Sequence, residues 1–202
     1  MITYDRLNEL LGRFSRTAIA VFGDFFLDRY WFIDKRLAEI SLETELEAHQ
    51  IVRRSLSPGA AGTVLSNVAA LGAGKVFAVG VIGRDGEGFE LRNGVRALGA
   101  DDSRLLEIPD IFTPTYTKPM VFSSDTEIPV EINRLDIKNR TPTPDGGQEF
   151  VINVLDEAWP QLDALLVLDQ VSEAECGVVT ERVRNRLAEL ANGDADRFVL
   201  AD

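Results

Sequence analysis

Short runs of apolar residues alternate along the chain with amphipathic segments. The continuous apolar runs are typical of strands buried on both faces, and they predict strands at 18–22, 76–82, 164–168 and 198–201. Helical spacing of apolar residues predicts helices at 4–14, 64–71, 89–98, 145–157 and 173–191. Because strands and helices alternate in this order, we expect a parallel sheet with helices on both faces.

Two further regions have one polar face and need not join that sheet. Between 36 and 54, apolar residues alternate imperfectly with glutamates, which favours the antiparallel strands of a flap, although a helix is the competing interpretation. Segments 115–122 and 129–136 have β-type composition and are separated by a polar stretch at 123–126, which predicts a hairpin. Pro119 and Pro129 indicate edge positions in these strands.

Two carboxylates follow the first buried strand. Asp24 and Asp28 are four residues apart, just beyond the strand's carboxyl end, where open α/β sheets bind ligands. Carboxylates in this position can accept hydrogen bonds from sugar hydroxyls. The alternative is that Asp24 caps a turn and Asp28 pairs with Arg29 or solvent.

The stretch from Pro58 to Gly62 is built of small residues and leads directly into the predicted second helix. A small-residue loop before a helix exposes backbone N–H groups at a positive dipole end, which suits a hydroxyl-rich or anionic ligand. A tight connection before a well-packed helix explains the composition equally well. The glycines between Gly83 and Gly88 have the order G-x-x-G-x-G, which differs from the dinucleotide fingerprint, so we interpret them as a turn with Asp85 near a helix start.

Composition narrows the possible functions. The net charge of -12 argues against a nucleic-acid partner and against an anionic membrane surface. The single cysteine excludes an intrachain disulfide, and the single histidine excludes a multi-histidine metal site. We interpret His49 as a surface or interface residue rather than a catalyst. No signal-like or membrane-spanning run is present, so a cytoplasmic location is expected.

Several motifs in order resemble the ribokinase/PfkB family of carbohydrate kinases, in particular the bacterial heptose-phosphate kinase branch. They are Gly-Asp-Phe-Phe-Leu-Asp-Arg-Tyr-Trp at 23–31, Ile-Ser-Leu-Glu at 40–43, the stretch 58–73, Thr-Lys at 117–118 and Arg-Leu-Asp at 134–136. The resemblance implies a ribokinase-like three-layer α/β sandwich, with a mainly parallel sheet and a small β-flap lid. It places residues 1–202 in one incomplete domain that lacks its C-terminal part, with lid strands around 30–54 and 114–136.

By the same resemblance, the full polypeptide uses ATP and Mg²⁺ to phosphorylate a hydroxyl of a sugar or sugar phosphate. The family's Gly-Ala-Gly-Asp motif, with its aspartate base, and its nucleotide-binding region are absent from the chain, so no catalytic residue, nucleotide-binding residue or metal ligand is assigned. The lid implies a homodimer formed through its strands, with neither nucleic acid nor membrane as a partner.

The residues expected to hold the sugar are Asp28 as a hydroxyl acceptor, Gly59 for close backbone approach, and Asp24, Ala60, Thr63 and Lys118, the last as a partner for a substrate phosphate. Two of these depart from the family pattern, since Ala60 replaces a second glycine and Thr63 an asparagine. Two alternatives to the kinase therefore stay open. One is a non-catalytic sugar-binding or regulatory module, and the other is a nucleoside kinase of the same fold.

Overall fold

The computed structural model describes residues 2–123, 126–194 and 197–202. Its helices are α1 (Tyr4–Phe14), α2 (Ala61–Ala70), α3 (Gly86–Ala97), α4 (Asp145–Ala158) and α5 (Glu181–Gly193). Its strands are β1 (Ala18–Gly23), β2 (Phe25–Ile33), β3 (Glu39–Ile40), β4 (Glu47–Ala48), β5 (Ile51–Ala60), β6 (Lys75–Gly83), β7 (Asp101–Ile108), β8 (Thr115–Ser123), β9 (Thr126–Glu131), β10 (Leu135–Ile137), β11 (Ala164–Leu168) and β12 (Phe198–Ala201).

A five-stranded parallel sheet in the order β12-β11-β1-β6-β7 forms the centre of the fold. Alternate residues of β1 enter two different cores. Phe22 packs with α4 and α5 on one face, whereas Val21 packs with α2 and α3 on the other. Both side chains are fully buried. The α/β class with helices on both faces, expected from the continuous apolar runs, is therefore confirmed.

A second sheet, mixed in direction, has the order β10-β8-β2-β5, and β9 pairs with β8 beside β10. Strand β2 is central in it: β5 pairs antiparallel to one edge and β8 pairs parallel to the other. Strands β3 and β4 form a separate antiparallel pair, which excludes the competing helix for 36–54. The second sheet begins at Phe25, earlier than the range around 30–54 expected for the lid.

Two predictions about the segments that precede helices were wrong. The segment from Pro58 to Ala60 is the end of β5 and no loop, because it pairs with β2 until α2 begins at Ala61. The helix expected over 173–191 begins only at Glu181, because the Thr180 hydroxyl accepts from the Val183 N–H and caps it there. The segment before Thr180 does not join this helix, because the backbone N–H groups of Val171 and Val178 donate to the Asp24 carboxylate.

The hairpin expected after 115 is present as the antiparallel pair β8 and β9, and residues 124 and 125 of its predicted turn lie outside the described residues. Pro129 lies on β9, at the edge of the sheet, as expected. The edge assignment of Pro119 was wrong, because β8 has neighbours on both sides. Pro119 is tolerated because it lies between the stretches of β8 that pair with β10 and with β9.

Among the helices of the described ranges, none has the length and apolar character that a membrane span requires.

Candidate functional site

The chain passes from the parallel sheet to the second sheet at two residues, Gly23 and Asp24. Gly23 has a φ of +134°, and a Cβ atom there would lie 2.0 Å from the carbonyl oxygen of Leu168, so only glycine fits. Asp24 follows and is buried. The Asp24 carboxylate accepts backbone hydrogen bonds from Gln170 (2.8 Å), Val171 (3.0 Å) and Val178 (2.7 Å).

These contacts hold the Asp24 carboxylate against the backbone of residues 170–178. Burial raises the pKa of the Asp24 carboxyl, the three backbone donors lower it, and the net pKa lies above its ordinary value because burial dominates. Both oxygens are occupied by the 170–178 segment. The structure thus places this candidate against the protein's own backbone, as the turn-capping alternative expects.

Asp28 lies on β2, on the face of the second sheet that also carries Lys118 of β8. The Lys118 ammonium donates to Oδ1 of Asp28 at 2.9 Å, and both side chains are 18% exposed. Gly59 on β5 lies directly beneath the carboxylate, since a Cβ atom at this position would lie 2.6 Å from Oδ2 of Asp28. Three of the predicted site residues, Asp28, Gly59 and Lys118, are therefore brought together.

The Asp28–Lys118 pair keeps free hydrogen-bonding capacity. Within the described residues, no group donates to Oδ2 of Asp28, and the ammonium uses two of its three protons, on Asp28 and Tyr30. Burial lowers the pKa of Lys118, but its hydrogen bonds to Asp28 and Tyr30 outweigh burial and raise the net pKa. The site thus presents an anionic acceptor next to a charged donor.

Tyr30 also contacts this pair, and the sequence analysis did not single it out. Its hydroxyl accepts from Lys118 at 3.1 Å, and the ammonium lies 4.8 Å from the centre of its ring. Because alternate residues of a strand share a face, Asp28 and Tyr30 point the same way. Recognition of 25–33 as a strand would have identified Tyr30.

The other two candidates lie at the start of α2. Thr63 is exposed on the first turn of the helix, and no described hydrogen bond joins it to Asp28 or Lys118. Ala60 is the residue before α2 and has a φ of +50° with a ψ of −117°, a backbone conformation that favours glycine. The close turn from β5 into α2 imposes this strain, because the Ala61 N–H must reach the Asp24 carbonyl at 3.0 Å.

Replacing Ala60 by glycine is expected to stabilise the protein by about 1 kcal/mol, since relief of a strained non-glycine φ exceeds the added freedom of the unfolded chain. Denaturant unfolding measures the change. As a control, Ala69→Gly, in the regular part of α2, is expected to destabilise by about 0.5–1 kcal/mol. Loss of stability in both variants would show that Ala60 is unstrained.

A cleft at the carboxyl ends of β1 and β6 adjoins this face. It is lined by residues that include Asp24, Pro114, Asn139, Thr143, Cys176 and Gly177. Its polar side chains already bind the protein: the Asn139 amide bonds the backbone of Phe112, and the Thr143 hydroxyl donates to the Gly177 carbonyl. Phe26, two residues before Asp28 on the same face of β2, lines an adjoining cavity together with Pro114, Asn139, Val171 and Cys176.

The glycine-rich segment after β6 is structural, as predicted. Asp85 caps α3 by accepting from the Gly88 N–H at 2.7 Å, and it also binds the backbone and hydroxyl of Thr113. A Cβ atom at Gly88 would lie 2.3 Å from the Gly83 carbonyl oxygen. The segment packs closely against itself at Gly83 and Gly88. In the ranges that the structure covers, no group of three or more histidine, cysteine or acidic side chains is placed to hold a metal ion.

The chain is similar in sequence and in fold to several known proteins. The bifunctional protein HldE of Nitrobacter hamburgensis is 30% identical over 202 residues, which cover 99% of this chain and 38% of that protein. A carbohydrate kinase from Agrobacterium tumefaciens has a TM-score of 0.57 at 19% identity, with 92% of this chain and 53% of that chain covered. Arabidopsis thaliana ribokinase, solved with ribose and ATP, has a TM-score of 0.54 at 16% identity, with 92% and 53% covered.

No family model matches the sequence. The chain spans about a third of the length of the curated relatives it matches and about half of the solved structures. The structural likeness confirms the ribokinase-like fold, and the HldE relatives agree with the heptose-phosphate kinase branch to which the motifs pointed. The chain is therefore similar to the ribokinase/PfkB family of carbohydrate kinases in its motifs, its relatives and its fold.

Proposed function

We propose that this chain carries the sugar-binding part of an ATP-dependent carbohydrate kinase, in which a hydroxyl of a sugar or sugar phosphate receives the γ-phosphate. The observation that supports this most is the Asp28–Lys118 pair above Gly59. A carboxylate oxygen without a protein donor, beside an ammonium with a spare proton, matches two neighbouring hydroxyls. One hydroxyl donates to Oδ2, and the other accepts from Nζ.

Each of the three residues has a distinct role in this proposal. Asp28 and Lys118 form charge-assisted hydrogen bonds, which are stronger and more directional than neutral ones. Gly59 leaves room on β5 for the Asp28 carboxylate, because the Cβ atom of a larger residue would collide with it. Their combined effect is to fix the orientation of the sugar, which lowers the entropic part of the reaction barrier.

ATP and Mg²⁺ enter this proposal through the family alone. The described residues offer no acidic cluster for the ion, and the glycine-rich segment after β6 is filled by its own contacts. When bound, the nucleotide supplies the phosphoryl group and the ion neutralises its charge. We assign no step of the transfer to residues of this chain, whose part is to bind and orient the acceptor in the cytoplasm.

Ligand-induced stabilisation tests the sugar site. We expect D-ribose, D-fructose 6-phosphate or sedoheptulose 7-phosphate, at one hundred times its Kd, to stabilise the 202-residue chain by about 2.7 kcal/mol. For a chain of this size the melting temperature then rises by about 5–10 °C. Adenosine serves as the nucleoside comparison. A shift with adenosine alone favours the nucleoside kinase, and no shift with any of the four compounds contradicts the site.

Release of ADP distinguishes a kinase from a binding module. The sugar that shifts the melting temperature is supplied with ATP and Mg²⁺ to the polypeptide as its native host makes it. Sugar-dependent ADP release supports the kinase. Binding without release supports the non-catalytic sugar-binding module, to which the departures at Ala60 and Thr63 also point.

We further propose that the second sheet, with the β3–β4 pair, is a lid over the sugar and joins two copies of the protein. The segment 37–52 exposes large apolar side chains, namely Leu37, Ile40, Leu42, Leu46, Ile51 and Val52. Leu42 is 99% exposed. Such a patch on a protruding hairpin is typical of an interface between chains.

Sedimentation equilibrium is expected to give a mass of about twice 22.3 kDa for this chain. Leu42→Glu is expected to weaken the dimer at least tenfold, because it places a charge within the apolar contact. Leu71→Glu is the matched control, since Leu71 is 60% exposed at the end of α2, away from this segment. Equal weakening by both variants, or a monomeric wild type, would contradict the proposal.

A further inference from the structure

The contacts of Tyr30 point to a role in the sugar site. In the parallel pairing of β2 with β8, Tyr30 lies opposite Lys118, and Asp28 lies opposite Tyr116. The Lys118 side chain therefore reaches diagonally across the sheet to Asp28, and the Tyr30 hydroxyl and ring lie along its path. The ammonium is held from two sides, by the Asp28 carboxylate and by the phenol.

We propose that Tyr30 is a positioning residue, which holds the Lys118 ammonium on Oδ1 of Asp28 and thereby keeps Oδ2 and one ammonium proton available to the sugar. This inference rests on the proposed sugar-binding function. It names a residue that does not itself have to touch the ligand.

The physical reason is the flexibility of lysine. A lysine side chain has four rotatable bonds and three equivalent donors, so one carboxylate oxygen alone does not fix its direction. A hydroxyl acceptor at 3.1 Å and a ring face at 4.8 Å remove most of that freedom before the sugar binds. Preorganisation of this kind strengthens binding because the ordering cost is not incurred on association.

Tyr30→Phe isolates the hydroxyl, because phenylalanine keeps the ring and its packing. We expect the affinity for the probe sugar, D-ribose or sedoheptulose 7-phosphate, to fall about three- to tenfold by calorimetry, with the unfolding midpoint unchanged. Tyr116→Phe is the matched control: Tyr116 lies two register positions away on the same face, and its ring contacts Phe26 and Arg134. An equal loss in both variants would overturn the proposal.

A double-mutant cycle with Lys118→Met tests whether Tyr30 acts through Lys118. We expect Tyr30→Phe to have no further effect on affinity once Lys118 is methionine. The same fold loss in both backgrounds would mean that Tyr30 binds the sugar directly, and would overturn the positioning role.

A spectroscopic measurement keeps the test independent of the sugar. Lys118 is one of four lysines in the chain, so its ε-methylene carbon can be assigned in a ¹³C-lysine-labelled sample from the signal that Lys118→Met removes. In the free protein, Tyr30→Phe is expected to move this signal toward that of an unrestrained lysine. An unmoved signal refutes the positioning role, whereas failure of the wild type to bind any probe sugar refutes the proposed function.

Discussion

Asp24→Ala is expected to destabilise the protein by about 3–5 kcal/mol, a large part of the stability of a typical domain. The substitution removes one acceptor group from three backbone N–H donors, on Gln170, Val171 and Val178, and leaves them without partners. The loss exceeds that of an ordinary hydrogen bond, because the Val178 donor lies in the buried core. Urea unfolding of the purified variant measures the change.

The matched control is Asp169→Ala. Asp169 lies at the end of β11, close to Asp24, but its side chain is exposed. Its removal is expected to change the free energy of unfolding by about 0.5 kcal/mol or less. A similarly small change for Asp24→Ala would show that the 170–178 segment is held by other contacts.

The raised pKa of Asp24 gives the stability a pH-dependent component. Because the folded protein binds this proton more tightly than the unfolded chain does, the contribution is complete below the ordinary carboxyl pKa of about 4. It is lost as the pH rises through the folded-state pKa. The stability of the wild type relative to Asp24→Asn is therefore expected to fall with rising pH, and a rise would mean that the three backbone donors outweigh burial.

Asp28→Asn is expected to lower the affinity for the probe sugar about 10- to 100-fold, which corresponds to about 1.5–3 kcal/mol. The amide removes the charge from both hydrogen bonds, the one to the sugar hydroxyl and the one to Lys118. Stability is expected to change little, since the pair is partly exposed and such pairs contribute about 1 kcal/mol or less. Calorimetric titration and thermal unfolding separate the two effects.

Asp34→Asn provides the comparison for Asp28→Asn. Asp34 follows the end of β2 and pairs with Arg36, an exposed contact outside the Asp28–Lys118 site. Its substitution is expected to leave sugar affinity within about twofold of the wild type. If Asp28→Asn behaves in the same way, Asp28 is not a sugar ligand and the proposed site is wrong.

Much of the fold could be predicted because it is encoded locally. Helix α1 has the predicted bounds, and β12 and β11 begin where the apolar runs begin. A run of apolar residues indicates a strand and helical spacing indicates a helix, although the run at β12 does not mark a buried strand, since three of its four residues are exposed. Burial is harder to predict from local sequence: α1 has helical spacing of leucines, yet none of its residues is buried.

The errors occurred where the chain changes direction or partner. Small residues from Pro58 to Ala60 indicated a loop, whereas pairing with β2 makes them a strand. The apolar residues before Thr180 were predicted as helix, whereas the contacts to Asp24 hold that segment in an irregular path. In both cases the deciding partner is distant along the chain, and local propensity carries no information about it.

Asp24 and Asp28 show most clearly the difference between what local sequence predicts and what depends on distant contacts. The order of residues shows that two carboxylates follow a buried strand, and the neighbouring motifs indicate the ribokinase/PfkB family. Their different positions depend on contacts between distant parts of the chain. The chain crosses between sheets at Asp24, which places this carboxylate against backbone about 146 residues away, whereas Asp28 lies on the accessible face of β2 beside Lys118. Local sequence does not predict these contacts, because hydrogen-bond partners so far apart in sequence meet only when the two sheets have formed.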